Sequence, residues 1–276
     1  MISDAGQLAT AAEIGLILLP VSLLPAAAWH GIDRARRDAA LAIPAALFLY
    51  IGMFVAVALA ASMRMPLRDA SLAHADAALG ISVPAVLSWI SSHGAIAAAL
   101  RRSYGALLWF LAASLLVPAL VGRRAEAWRL IAANGIAFAV AAPVFVLFPA
   151  VGPWVTYHFA PTHAQALCEQ SILSLRSGGP ITYGGMVCAP SFHAIWGVLA
   201  ASGFWSFKWL RLPAAMLASL MVASALTTGW HYGVDVVMGL AIAAFSLFIA
   251  SRVARNRVET KTPKCAGSRT VSLVLR

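Results

Sequence analysis

Charged residues are scarce in this chain. Only 11% of its 276 residues are Asp, Glu, Lys or Arg, against 61% that are hydrophobic. Soluble proteins carry roughly a quarter charged residues, so a soluble domain is excluded and a polytopic membrane protein is expected. Acidic residues are the rarest, 10 against 20 basic ones. The net charge of +10 comes with no nucleic-acid motif. Its basic residues fall in short loops between apolar runs, as topology signals do, and no nucleic-acid partner is expected. No two of the three cysteines are closely spaced and no H-E-x-x-H pattern occurs, so no metal and no cofactor are expected. No Lys or Arg precedes Arg34, which argues against a cleaved signal peptide.

What the chain has instead is apolar runs of bilayer-spanning length, roughly 17–25 residues. Seven are expected, over residues 12–28, 39–62, 104–121, 130–150, 191–207, 212–228 and 232–251. The fold class is therefore all-α, a transmembrane helix bundle of about seven spans with six plausible as its core. Arg34, Arg36 and Arg37, then Arg123, Arg124 and Arg129, then Lys208 and Arg211, then the C-terminal tail with Arg252 and Arg255 fall on one side of such a bundle. The positive-inside rule makes that side cytoplasmic and puts the N-terminus outside. The chain divides into two N-terminal spans (1–62), an outer segment with an interfacial helix (63–103), a catalytic bundle (104–253) and a disordered cytoplasmic tail (254–276). An eighth span within 63–103 would break the charge alternation. Cys168 and Cys188 share the outer segment 150–189 and would be able to pair there.

Within the last run, TTGWHYGVDVVMG places His231 and Asp235 four residues apart. On a helix that spacing shares one face, so Asp235 is expected to point at the His231 imidazole. An Asp near the centre of a span costs about 2.5–3.5 kcal/mol on insertion scales, so one that is kept is usually used. A helix-end histidine beside a satisfied aspartate would account for the pair as structure alone. However, the sequence PSFHA puts His193 at the same outer side, and two histidines converging with one carboxylate favour chemistry. His231, oriented by Asp235, would attack phosphorus, and His193 would protonate the leaving oxygen. Ser191 is a natural N-cap whose helix start offers amides to a phosphate.

These stretches resemble a known family. APSFHA (189–194) resembles the P-S-x-H signature of the type-2 phosphatidic acid phosphatase superfamily, and GWHYGVDVVMG (229–239) its H-x-x-x-D signature. LFPAVGPW (147–154), LRSGG (175–179) and PLRDASLAHADAALG (66–80) resemble the branch that includes inositol phosphorylceramide synthases, in its bacterial form. The resemblance covers about residues 65–250. It implies a metal-independent enzyme of the bacterial inner membrane, with His231 as nucleophile, Asp235 as its partner, His193 as acid and Ser191 near the phosphate. Its substrate would be a lipid phosphate in the bilayer, met on the periplasmic or exterior face. The outcome would be hydrolysis or, as in the synthase-like branch, transfer to an alcohol acceptor.

Two departures stand out. The superfamily's K-x6-R-P motif is absent, and Ala225 follows Ser224 where an Arg is expected. The phosphate-neutralising cation is therefore sought elsewhere, first at Arg176 and next at Arg101 and Arg102. That missing arginine also leaves room for a non-enzymatic transporter or scaffold on the same fold. His158 and His163 read as loop residues, and Tyr157, Tyr183 and Tyr232 as headgroup contacts or interface markers.

Overall fold

The computed structural model describes residues 34–180 and 189–259. Every regular element among them is a helix: α1 (Arg34–Ser62), α2 (Asp69–Ala78), α3 (Val83–Ser91), α4 (Gly94–Gly105), α5 (Leu107–Leu120), α6 (Arg124–Leu147), α7 (Pro153–Tyr157), α8 (His163–Ser177), α9 (Phe192–Gly203), α10 (Arg211–Thr227) and α11 (Gly233–Glu259).

At the centre α6 packs against α1, α9 and α11. The reason is a stripe of small residues: Ala133, Ala137 and Ala141, at successive i+4 positions, are fully buried. Small side chains let helix backbones approach closely where no water drives them together. Larger residues close the core around the stripe, among them Leu130, Phe145, Ile195 and Leu199. The outside is apolar too. Phe48, Ile51, Val55 and Leu59 of α1, Met216 and Leu220 of α10, and Phe245 and Phe248 of α11 are exposed. A surface like this suits lipid rather than water.

Three helical stretches are long and apolar enough to cross a membrane, Pro44–Ser62, Arg124–Leu147 and Gly233–Ala254. Two bent pairs, α2 with α3 (82°) and α4 with α5 (50°), raise that to five if each pair is one span. The run at 12–28 lies outside the described residues. The runs at 191–207 and 212–228 become α9 and α10, of 12 and 17 residues. At about 1.5 Å per residue, 12 residues rise about 18 Å, short of a hydrocarbon core of about 30 Å. At α9 hydropathy counted the apolar residues flanking the helix, which begins only after its Ser191 cap and ends at Gly203.

The segment 63–103 departs furthest from expectation. In place of one interfacial helix it forms three, and α2 and α3 also pack against the bundle, touching α11 and α10. Tyr104, expected to start a span, belongs to α4, because the chain bends at Ala106. At the other end α11 runs on to Glu259, past the expected start of the tail at 254.

One polarity organises the bundle. Arg129, at the start of α6, donates to the Ser202 carbonyl at the end of α9 and to the Ser251 hydroxyl on α11. Ser206 donates to Glu126 at that same end. The starts of α9 and α11, with the two histidines, lie at the opposite end of those helices.

Candidate active site

The site begins where α10 stops. Thr228 caps that helix, the chain turns at Gly229, and α11 starts at Gly233. His231 therefore precedes the helix, and Asp235 sits in its first turn. The pair still meets, with His231 Nδ1 3.3 Å from Asp235 Oδ1 and both side chains buried. The expected geometry is corrected here: the contact spans a helix start and does not run along a helix face. The other carboxylate oxygen of Asp235 accepts the Tyr232 backbone N–H at 3.1 Å. One carboxylate thus closes the turn and orients the ring inside it. With Nδ1 turned to Asp235, Nε2 is the ring nitrogen on the far side.

The second histidine arrives on α9. Ser191 is its N-cap, and the Ser191 hydroxyl accepts the Ala194 N–H at 3.3 Å. His193 follows in the first turn, half-buried, with its ring centroid 5.9 Å from that of His231. Two backbone features set this spacing. The Ser191 N–H donates to the Asp235 carbonyl at 3.1 Å. Beside it Gly239 allows α11 to touch α9, since a side-chain carbon there would stand 2.6 Å from the Ser191 carbonyl oxygen.

Aromatic rings wall the site. Tyr104, on α4, stacks on His193 at 3.7 Å between centroids and 11° between planes. Trp230 lies 6.3 Å from Tyr104 and meets Trp154 edge-on at 5.8 Å. Sequence reasoning missed Tyr104 altogether. Its one signal was an aromatic at the outer end of an apolar run.

The turn that carries His231 is gripped by α7, α8 and α2. Gln165, buried in the capping box of α8, donates to the Thr228 and Gly229 carbonyls. Asp69 accepts the Val151 and Gly152 amides and the Tyr232 hydroxyl. Asp76 accepts the Gly233 amide at 2.9 Å and the Val234 amide at 2.6 Å. Tyr232 is fully buried in this grip and is no headgroup contact. Tyr157 packs near it, and burial first, then the Asp76 charge, push its phenol above the usual range. Tyr183 lies outside the described residues.

The cation candidates separate. Arg176 lies in the last turn of α8, with its Nη1 buried and lacking a hydrogen-bond partner. Gln165, near the other end of α8, is the residue that reaches the turn, and eleven residues of helix separate the two by about 16 Å. No contact among the described residues joins Arg176 to the histidines. Arg101 and Arg102 are exposed on α4, and Arg101 stands one turn before Tyr104. At the position of the missing arginine, Ala225 is fully buried against Ala194 and Val236. Ser224 turns its hydroxyl to the Met221 carbonyl of its own helix.

His158 ends α7 in a left-handed conformation and His163 opens α8. Cys168 is a free, buried thiol, pushed up to about 12 by burial and then by the Glu169 charge. Cys188 lies outside the described residues. Among the described residues no three His, Cys, Asp or Glu side chains are grouped as a metal ligand set.

A family model described as the PAP2 superfamily matches residues 70–249, well over half of the chain. No curated protein and no solved structure gives a significant match.

Proposed function

Because the chain belongs to the PAP2 superfamily, we propose that it is an integral membrane lipid-phosphate phosphatase working through a phosphohistidine. The Nε2 lone pair of His231 attacks phosphorus, forming the N–P bond as the bond from phosphorus to the lipid oxygen breaks. Nδ1 keeps its proton toward Asp235, which stabilises the charge that builds on the ring. His193 gives its proton to the leaving alkoxide. In the second half, His193 takes a proton from water, the water oxygen bonds to phosphorus, and the N–P bond breaks to release phosphate. The observation that carries this reading is the buried His231–Asp235 contact at 3.3 Å with the His193 ring 5.9 Å away.

Phosphate charge is met first by the Ser191 helix start. For the cation, Arg101 is better placed than Arg176. Helical side chains lean toward the N-terminus, so the Tyr104 ring that covers His193 lies over the turn carrying Arg101. The site faces the non-cytoplasmic side on this reading. The basic residues Arg129 and Arg123 stand at the opposite end of the bundle from the histidines, which supports that orientation.

Transfer to an alcohol acceptor is the second reading, and one observation favours it. Two stretches that resemble the synthase-like branch meet at the site: the Arg68 N–H donates to the Pro149 carbonyl, and Asp69 accepts from Val151 and Gly152. Purified protein given phosphorus-labelled phosphatidic acid separates the two. Label in free phosphate means hydrolysis, and label on a second lipid when an alcohol-bearing lipid is added means transfer. If no label moves and none is trapped on His231, the enzymatic reading fails and a transporter or scaffold takes its place.

A further inference from the structure

The stripe of α2 that faces the site reads Asp69, Leu72, Ala73, Asp76, at i, i+3, i+4 and i+7. Its apolar members pack with Tyr232, Val234 and Met238. Its two aspartates are buried, and buried carboxylates are expensive: an apolar stripe of the same shape would often pack as well or better. Their partners explain why the charges are kept. Asp76 takes the first two amides of α11, Gly233 and Val234, immediately before Asp235. Asp69 takes the hydroxyl of Tyr232, the residue after His231. The same hydroxyl lies 3.1 Å from the Gly152 carbonyl and 3.0 Å from Thr156 Oγ1. The Tyr232 amide in turn donates to Asp235. Three peptide N–H groups between His231 and Asp235 thus donate to a carboxylate, that of Tyr232 to Asp235 and those of Gly233 and Val234 to Asp76, while Asp69 holds the Tyr232 side chain.

We propose that Asp69 and Asp76 are positioning residues that set the His231–Asp235 geometry, Asp69 through Tyr232 and Asp76 through the start of α11. The proposal rests on the phosphohistidine reading for its consequence in rate, and on geometry alone for its consequence at the imidazole. In Asp76→Asn the shape is kept, but an amide NH2 replaces one acceptor and faces a backbone N–H. The start of α11 then shifts, and Asp235 shifts with it. Misplacement of about 1 Å at a reacting group costs on the order of a hundredfold in rate.

The full chain in detergent micelles is assayed with dioctanoyl phosphatidic acid. In parallel its histidines are labelled with 15N, and the His231 resonances are assigned by their loss in His231→Gln. Asp76→Asn should lower kcat by about 10–100-fold at nearly unchanged KM. It should also move the His231 signals while those of His74 and His163 stay in place. Tyr232→Phe should give a smaller loss, and Asp69→Asn a loss at least as large as Tyr232→Phe, because Asp69 also holds the Val151 and Gly152 amides. Wild-type kcat with unmoved His231 signals in Asp76→Asn overturns the proposal. So does a loss that follows the folded fraction while the His231 signals stay fixed. If the wild type releases no phosphate, the phosphatase reading falls, and the His231 signals alone decide the positioning role.

Discussion

Two helices begin side by side at the site, and they begin differently. α11 starts against carboxylates: Asp76 takes its first two amides, and Asp235 sits in its first turn. α9 starts under its own Ser191 hydroxyl, which takes the Ala194 amide. Each start carries the positive end of a helix dipole, worth about 0.3–1 kcal/mol to a nearby anion and up to about 2 when partly buried. At α11 the protein's own carboxylates meet that attraction and hold the turn that carries His231. At α9 the cap is neutral, which on the phosphohistidine reading leaves the attraction for a phosphate. On that reading the anchored start orients and the neutral start receives.

The largest effects should come from the anchored side. His231→Ala should remove turnover, by more than about 10³-fold, and Asp235→Asn should lower kcat by about 10²–10⁴-fold, since the amide no longer holds one ring tautomer. Phosphate release by the purified variants, with circular dichroism to check folding, tests both. Full activity in His231→Ala would refute the division of roles between the two helices.

Restoring the superfamily arginine should harm the receiving side. Ala225 is fully buried between Ala194 and Val236, so Ala225→Arg forces a long cation into filled space, a change that costs several kcal/mol when no partner awaits it. A lowered thermal midpoint with no gain in rate is expected. A gain would mean that the cation belongs at 225.

The receiving side should feel Arg101 more than Arg176. Arg101→Ala is expected to raise KM for lipid phosphate about tenfold or more, at the scale of one charged hydrogen bond, and Arg176→Ala to change it little. The reverse order would return the cation to α8. Smallest of all is the effect at Cys168. Its thiol is pushed up to about 12 and is buried, so maleimide at pH 8 should leave it unmodified without denaturant, as mass mapping of the peptide would show.

Different parts of this molecule were legible to different degrees, and the reasons are physical. That His193, His231, Asp235 and Ser191 come together at two helix starts was readable, because helix ends restrict position. The all-helical apolar architecture followed from composition. The number of crossings did not, because α9 is shorter than the apolar run that contains it and α10, at 17 residues, stands at the lower limit of a span. The role of α2 was hidden because its inward stripe mixes charge with apolar residues, so nothing in the sequence singled out Asp69 and Asp76. Tyr104 was hidden for another reason: an aromatic at the end of an apolar run reads as an interface marker, and only the fold shows it stacked on His193. The reason for placing His231 opposite Asp235 was wrong although the pairing was right, since a five-residue turn brought them together where a helix face was expected.

The close contact at Gly239 has a mechanical consequence. The start of α9 is joined to α11 backbone to backbone, by the Ser191 amide on the Asp235 carbonyl and by the absence of any side chain at 239. The distance between the two histidines is therefore set by main chain and is insensitive to rotamer changes around it. The two helices cannot part at this point without breaking that joint. The Tyr104 side of the enclosure is built differently: it comes from α4, which bends into α5 at Ala106, and it meets His193 through its ring.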